Sequence, residues 1–225
     1  MSADPLDRLA LAARDWGVTL DANALGSISS YLDFVRETNA KTNLTADDSR
    51  EDLVLKHAAD GVFAAATLRT LLGEAPRILD LGSGGGFIGI VLKLCWPGAQ
   101  VTLMESVERK YRFLNAAAAR TGVPGLRVLH RRAGDGRPPT AYERDFDAVV
   151  ERALAPLPEA VRLAFPLLAP RGLFAAFQTE PVDASEPALA KALAAARARV
   201  LESHPYRRPG ETHERRLAVF ARREE

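Results

Sequence analysis

The apolar positions change period near residue 76. Ahead of it they recur at helical spacing. Leu6, Leu9, Ala10 and Ala13 share a face, as do Leu25, Ile28, Leu32 and Val35, and a third run holds Leu53, Val54, His57 and Val62. Each run carries a start signal. Asp4-Pro5 is an N-cap followed by proline at the first helical position, Asp21 caps the second run, and Ser49-Arg50-Glu51-Asp52 reads as a capping box with aspartate for glutamate. Gly17 stops the first helix. Beyond residue 76 short apolar runs alternate with helical ones. Strands are predicted at 77–81, 100–104, 126–130, 146–150 and 173–178, with helices at about 86–95, 106–120, 158–168 and 185–199. Such alternation predicts a parallel sheet with helices on both faces. The end breaks the rhythm: 200–204 and 216–221 are strand-like and only a polar loop separates them, so the sheet should finish in an antiparallel hairpin. Residues 1–70 are therefore read as an N-terminal helical extension and 71–225 as one compact α/β unit.

Composition narrows the setting. The 225 residues are 47% apolar and 26% charged, which fits a folded domain with a real core. No apolar run reaches the length of a membrane span, and the first residues lack a basic segment ahead of an apolar one, so a cytoplasmic protein without membrane contact is expected. The single cysteine, Cys95, leaves no disulfide framework or cysteine zinc site, and no metal is expected. Net charge is +1, with basic clusters at Arg127, His130, Arg131, Arg132 and Arg137 and at Arg207, Arg208, Arg215, Arg216, Arg222 and Arg223. A one-sided basic face binds phosphates; solvated surface arginines are the plainer reading.

The chemistry concentrates in Arg77 to Ile90, RILDLGSGGGFIGI, where a strand ends in Asp80 and breaks into glycines. Gly84, Gly86 and Gly89 spell the dinucleotide pattern G-x-G-x-x-G. An aspartate at the end of that strand, however, would repel a pyrophosphate. It suits a ligand with cationic parts, and S-adenosylmethionine carries a sulfonium and an ammonium and no phosphate. Asp80 can accept a hydrogen bond from that ammonium, directly or through water. Glu105, at the end of the next strand, can take both ribose hydroxyls in either kind of enzyme. The terminal hairpin favours the methyl donor over a nicotinamide cofactor. Arg152, directly after the fourth strand, faces the crevice where such sheets bind ligands.

Five segments then resemble the GidB/RsmG family, methyltransferases of guanine N7 in small-subunit ribosomal RNA. They are Asn39 to Ala46 (NAKTNLTA), Lys56 to Asp60 (KHAAD), the glycine loop, Ser106 to Leu114 (SVERKYRFL) and Glu151 to Leu157 (ERALAPL). The resemblance covers about residues 30 to 180. It implies a class I S-adenosylmethionine-dependent methyltransferase fold: Rossmann-like, with a mostly parallel seven-stranded sheet, an antiparallel hairpin and the helical extension. It implies S-adenosylmethionine as cofactor, 16S ribosomal RNA or the small ribosomal subunit as partner, and a monomer. Gly82, Gly84, Gly86 and Phe87 would line the methionine and ribose, Glu105 the ribose, and Ala133 and Gly134 the adenine. Arg152 would lie near the methionine carboxylate or the target base, with Asn39 and His57 as further catalytic candidates. Asn43, Lys56, Arg109 and Lys110 would contact RNA. The chain departs from the family pattern at Thr38 (tryptophan in the family), Lys56 (arginine), Gly61 (serine), Phe87-Ile88 (leucine-proline) and Gln178-Thr179 (lysine-glycine). The alternatives are a methyltransferase for another RNA or a small molecule, a nicotinamide oxidoreductase, and a non-catalytic ribosome-binding module.

Overall fold

A computed structural model describes residues 4–136 and 144–223. Arg137 of the first basic cluster lies outside them. The caps named above form. Asp4 accepts from the Leu6 N–H at 2.7 Å and starts α1 (Pro5–Asp15); Asp21 accepts from the Ala24 N–H at 2.7 Å and starts α2 (Ala22–Thr42). Ser49 accepts from the Asp52 N–H at 3.0 Å and donates to its carboxylate at 2.7 Å. The third helix is not uniform. After α3 (Arg50–Asp52) the backbone widens into a π-helical turn over Leu53–Ala58 before α4 (Ala59–Leu71). Such turns gather at functional sites, and nothing in the apolar spacing announces this one.

The expected sheet follows: β1 (Arg77–Leu81), β2 (Gln100–Glu105), β3 (Leu126–His130), β4 (Phe146–Glu151), β5 (Leu168–Gln178), β6 (Ala198–Tyr206) and β7 (Arg215–Arg222), in the order β3-β2-β1-β4-β5-β7-β6. The first five are parallel, and β7 runs antiparallel to both β5 and β6. The order reverses between β1 and β4, the switch point where doubly wound sheets open a ligand crevice. Between the strands lie α5 (Gly89–Cys95), α6 (Glu108–Thr121), α7 (Leu157–Ala164) and α8 (Pro187–Ala195). Several boundaries differ from the apolar reading. α5 begins at Gly89 because Gly82, Gly84 and Gly86 take positive φ. β5 starts at Leu168, ahead of the predicted 173. The last helix stops at Ala195 because Arg197 turns left-handed at φ 50.

One face of the sheet carries α7 and α8 over a cluster around Phe146, Phe174 and Phe220. The other carries α5 and α6. There the residues of α1, α2 and α4 belong to the same apolar cluster as Ile78, Val91 and Leu103, so the extension shares its core with the sheet. Gly61 lets α4 approach α5: a Cβ there would stand 2.7 Å from the Phe87 carbonyl. No helix among the described residues is long and apolar enough to cross a membrane.

Candidate active site

The glycine loop is held open from below. Gly82 and Ser83 both donate to the Met104 carbonyl at 3.0 Å, which ties the loop to the end of β2. Asp80 is buried and its carboxylate accepts from the Gly89 N–H at 2.9 Å, capping α5. Gly89 must be glycine here, because a Cβ would stand 2.3 Å from Leu103 and 2.9 Å from Asp80. Gly84 is different: it takes φ +57 and an added Cβ would meet only the Gly82 carbonyl at 4.0 Å, so backbone lies open to a ligand. From above, the Tyr31 hydroxyl of α2 donates to the Gly85 carbonyl at 2.6 Å.

Glu105 is buried and spends its carboxylate on backbone donors: Gly84 at 2.9 Å on one oxygen, and Ser106 and Val107, both at 2.7 Å, on the other. It thus joins the loop to the start of α6. A third acid, Glu151 at the end of β4, accepts from the Leu154 N–H at 3.1 Å and braces a turn in which Ala153 takes φ 57. Burial, with Glu105 nearby, pushes the Asp80 carboxyl up to about 6, although the Gly89 N–H works to lower it. Burial and the Asp80 charge push Glu151 up to about 7. Beside them a cleft of about 130 Å³ opens at the carboxyl ends of β1 to β4, lined by Gly82, Met104, Ser106, Ala133 and Leu154. A larger cavity, about 410 Å³, sits at the amino ends of the strands.

Opposite the acids stands Arg152. One nitrogen donates to Asp60 at 2.7 Å and the other to Nδ1 of His57 at 2.7 Å; the guanidinium also lies over Phe87, 5.8 Å from the ring centre. A guanidinium only donates, so His57 carries its proton on Nε2 and donates to Asp47 at 2.9 Å, with the Thr45 hydroxyl at 3.2 Å. Burial, then Arg152, lowers the imidazole to about 4 against the pull of Asp47, so it is neutral at pH 7. Asp60 is fully buried and accepts from Arg152, from both Nε and Nη2 of Arg208, at 2.8 and 2.6 Å, and from the Tyr206 hydroxyl at 2.7 Å. The segment between β6 and β7 therefore reaches back to α4.

The residues picked out by sequence divide accordingly. Asp80, Gly82, Gly84, Gly86, Phe87 and Glu105 lie in β1, the loop after it and the end of β2, and Arg152 directly follows β4; Gly82 and Ala133 line the cleft, and Gly134 packs against Leu163. His57 uses both nitrogens on protein groups, and its ring lies 4.2 Å from Phe87. Asn39 spends its side chain on the loop behind α2, accepting from Leu44 and Thr45 and donating to the Thr45 carbonyl, and Asn43 ends the helix at φ 50. Both do what asparagine does in turns. Lys56 is paired with Asp47 and Asp52, whereas Arg109 and Lys110 form no ion pair among the described residues. The hairpin arginines are engaged within the protein: Arg207 and Arg216 pair with Glu214, Arg215 with Glu211, and Arg222 and Arg223 donate to carbonyls. Sequence reasoning missed Asp47, Glu151, Tyr206 and the interior role of Arg208. Among the described residues no group of His, Cys, Asp and Glu forms a metal site.

Comparison with known proteins places this geometry. Residues 24–209 match the GidB family model, described as rRNA small subunit methyltransferase G. A protein of that name from Myxococcus xanthus is 37% identical over 216 residues, 96% of each chain, and one from Geobacter sp. strain M21 is 33% identical over 93% of this chain and 94% of its own. Among solved structures, magnesium protoporphyrin IX methyltransferase from Synechocystis with bound SAM superposes at a TM-score of 0.60 and 16% identity, over 86% of this chain and 97% of that one. A Burkholderia thailandensis N1-methyltransferase with S-adenosylhomocysteine gives 0.56 at 21% identity, over 91% and 92%. The strand order and terminal hairpin are thus those of the class I methyltransferases.

Proposed function

Because the chain belongs to the GidB family, rRNA small subunit methyltransferase G, we propose that it transfers the methyl group of S-adenosylmethionine to N7 of a guanine in 16S ribosomal RNA. It acts in the cytoplasm, as a monomer. The observation that carries this reading is the set of three buried acids around an open glycine loop, faced by one arginine. Asp80, Glu105 and Glu151 make the crevice hostile to a pyrophosphate and favourable to a sulfonium and an ammonium. Glu105 keeps room for the ribose hydroxyls, since one of its oxygens meets a single protein donor. Gly84 gives the backbone approach, Ala133 and Gly134 border the adenine, and Arg152 faces the methionine carboxylate or the base.

When bound, S-adenosylmethionine supplies an electrophilic methyl group. Guanine N7 already has an exposed lone pair, so the chain needs no general base; what it provides is alignment of the two partners. The neutral His57, closed off on both nitrogens, fits that requirement. The ring becomes cationic as N7 is alkylated, and carboxylates at the ends of β1 and β4 favour that charge. Arg109 and Lys110, at the start of α6 and without an ion pair among the described residues, offer phosphate contacts.

The test is mass spectrometry of ribosomal RNA from a strain lacking this gene. Loss of one 7-methylguanosine, restored by complementation, supports the reading; an unchanged nucleoside profile refutes the substrate. Calorimetry addresses the donor: binding of NAD without binding of S-adenosylmethionine would overturn the cofactor.

A further inference from the structure

Arg152 is held by parts of the chain that lie far from the crevice in sequence. Asp60 is 92 positions away and Arg208 a further 56, being 148 from Asp60 on the other side. Around Asp60 the charges do not cancel. Arg208 also meets Glu211 at 3.4 Å, and Glu211 meets Arg215 at 3.0 Å. Three guanidinium groups, of Arg152, Arg208 and Arg215, therefore face two carboxylates, leaving a net of +1. Tyr206 and His57 add none, the first because burial and Asp60 keep its proton on, the second because it is neutral. Asp60 is fully buried and its oxygens already take four donors, two of them from Arg208, so it cannot fully neutralise Arg152 as well. Arg152, whose side chain is 19% exposed, is the member of this group that stands at the carboxyl end of β4, at the sheet's switch point. It stays oriented because His57 accepts from its second nitrogen, and His57 can accept there only while Asp47 holds the proton on Nε2.

We propose that Asp60, Arg208 and Asp47 are positioning residues of the transfer site: they hold Arg152 so that it presents an uncompensated positive charge to an oxyanion in the crevice. That oxyanion is the carboxylate of the methyl donor or a phosphate of the RNA. The inference rests on the crevice being the methyl-donor site. It gives the NLTADD segment and the terminal hairpin one shared task, the placement of a single guanidinium.

The experiment compares wild type with Arg208→Gln, a change that takes the cluster from +1 to neutral. Calorimetry uses S-adenosylhomocysteine, which has the carboxylate, and methylthioadenosine, which has no amino-acid end; activity is measured on an in-vitro 16S rRNA transcript. If the carboxylate is the partner, Arg208→Gln weakens S-adenosylhomocysteine about tenfold and leaves methylthioadenosine unchanged, the size expected for a weakened charge-assisted hydrogen bond. If a phosphate is the partner, both nucleosides bind as before and KM for the transcript rises by about the same factor. Arg208→Lys keeps the charge and recovers part of the loss. Asp47→Asn, on a partly exposed loop, covers the case in which Arg208→Gln does not fold; it should shift the same quantity about two- to threefold. Equal losses for both nucleosides, or no change in any of the three measurements, overturn the proposal. Failure of wild type to bind S-adenosylhomocysteine overturns the functional reading beneath it.

Discussion

The two sides of the crevice treat buried carboxylates in opposite ways. At the ends of β1 and β4, Asp80 and Glu151 meet backbone N–H groups and the charge of a neighbouring acid, and burial lifts them to about 6 and about 7. A few residues away Asp60 is just as buried, and burial works to raise it too. Arg208 and Arg152 overcome that and hold its carboxyl below the ordinary value. The first side holds a surplus of carboxylates and the Asp60 group a surplus of guanidinium charge. A ligand cationic at one end and anionic at the other is complementary to that division, and the donor's methionine moiety has this form. Burial alone thus says little about a carboxylate; its partners decide whether it is a structural anion or half of a binding site.

The contrast can be broken most severely at Asp60. Asp60→Ala leaves two guanidinium groups without their shared acceptor and should cost about 3–5 kcal/mol of stability, read by denaturant unfolding. Next is the wall between loop and sheet. Gly89→Ala forces a Cβ against Leu103 and Asp80 and should cost about 1–3 kcal/mol, with weaker S-adenosylhomocysteine binding from the displaced loop. The acidic side has a pH signature of its own. Its folded-state pKa values are raised, so the ligand-free protein binds protons more tightly than the unfolded chain and should lose stability as pH rises from about 4 to about 7. Affinity for S-adenosylmethionine should climb over the upper part of that range as the acids ionise, and Glu151→Gln should flatten the climb. Calorimetry at fixed ionic strength measures it, and a flat wild-type profile would remove the acids from recognition. The smallest expected effect separates free from committed arginines. Arg109→Gln should reduce the salt dependence of RNA binding by about one ion, and Arg216→Gln, whose partner is Glu214, should leave it unaltered.

Much of this was legible before any coordinates. Strand and helix alternation, the three caps and the strand-end aspartate each depend on neighbours within a few residues, and short-range patterns carry such information well. Arg152 could be singled out because a residue directly after a parallel strand stands at that strand's carboxyl end. The Asp60 cluster was not. His57 and Asp60 stand three residues apart, but their partners arrive from the end of β4 and from the segment after β6, and nothing local marks Arg208 as different from Arg207 beside it. Arg207 pairs at the surface with Glu214, while Arg208 turns inward. Asn39 misled for the converse reason. Its segment reads as chemistry, yet the amide is consumed by the backbone two turns of sequence away, and what the segment contributes to the site is Asp47.

That Arg208 lies between the last two strands has a consequence for how the protein is made. The glycine loop, Glu105 and Arg152 all leave the ribosome before it. The crevice can therefore take shape while the guanidinium still lacks its anchor. The nucleoside end of the site matures first and the charge at its mouth last, once the hairpin has closed across the edge of the sheet. A chain cut short after β5 would keep every residue of the glycine loop and lose the group that keeps Arg152 in place. Competence in this fold is a late event of synthesis, completed when the β6–β7 hairpin closes.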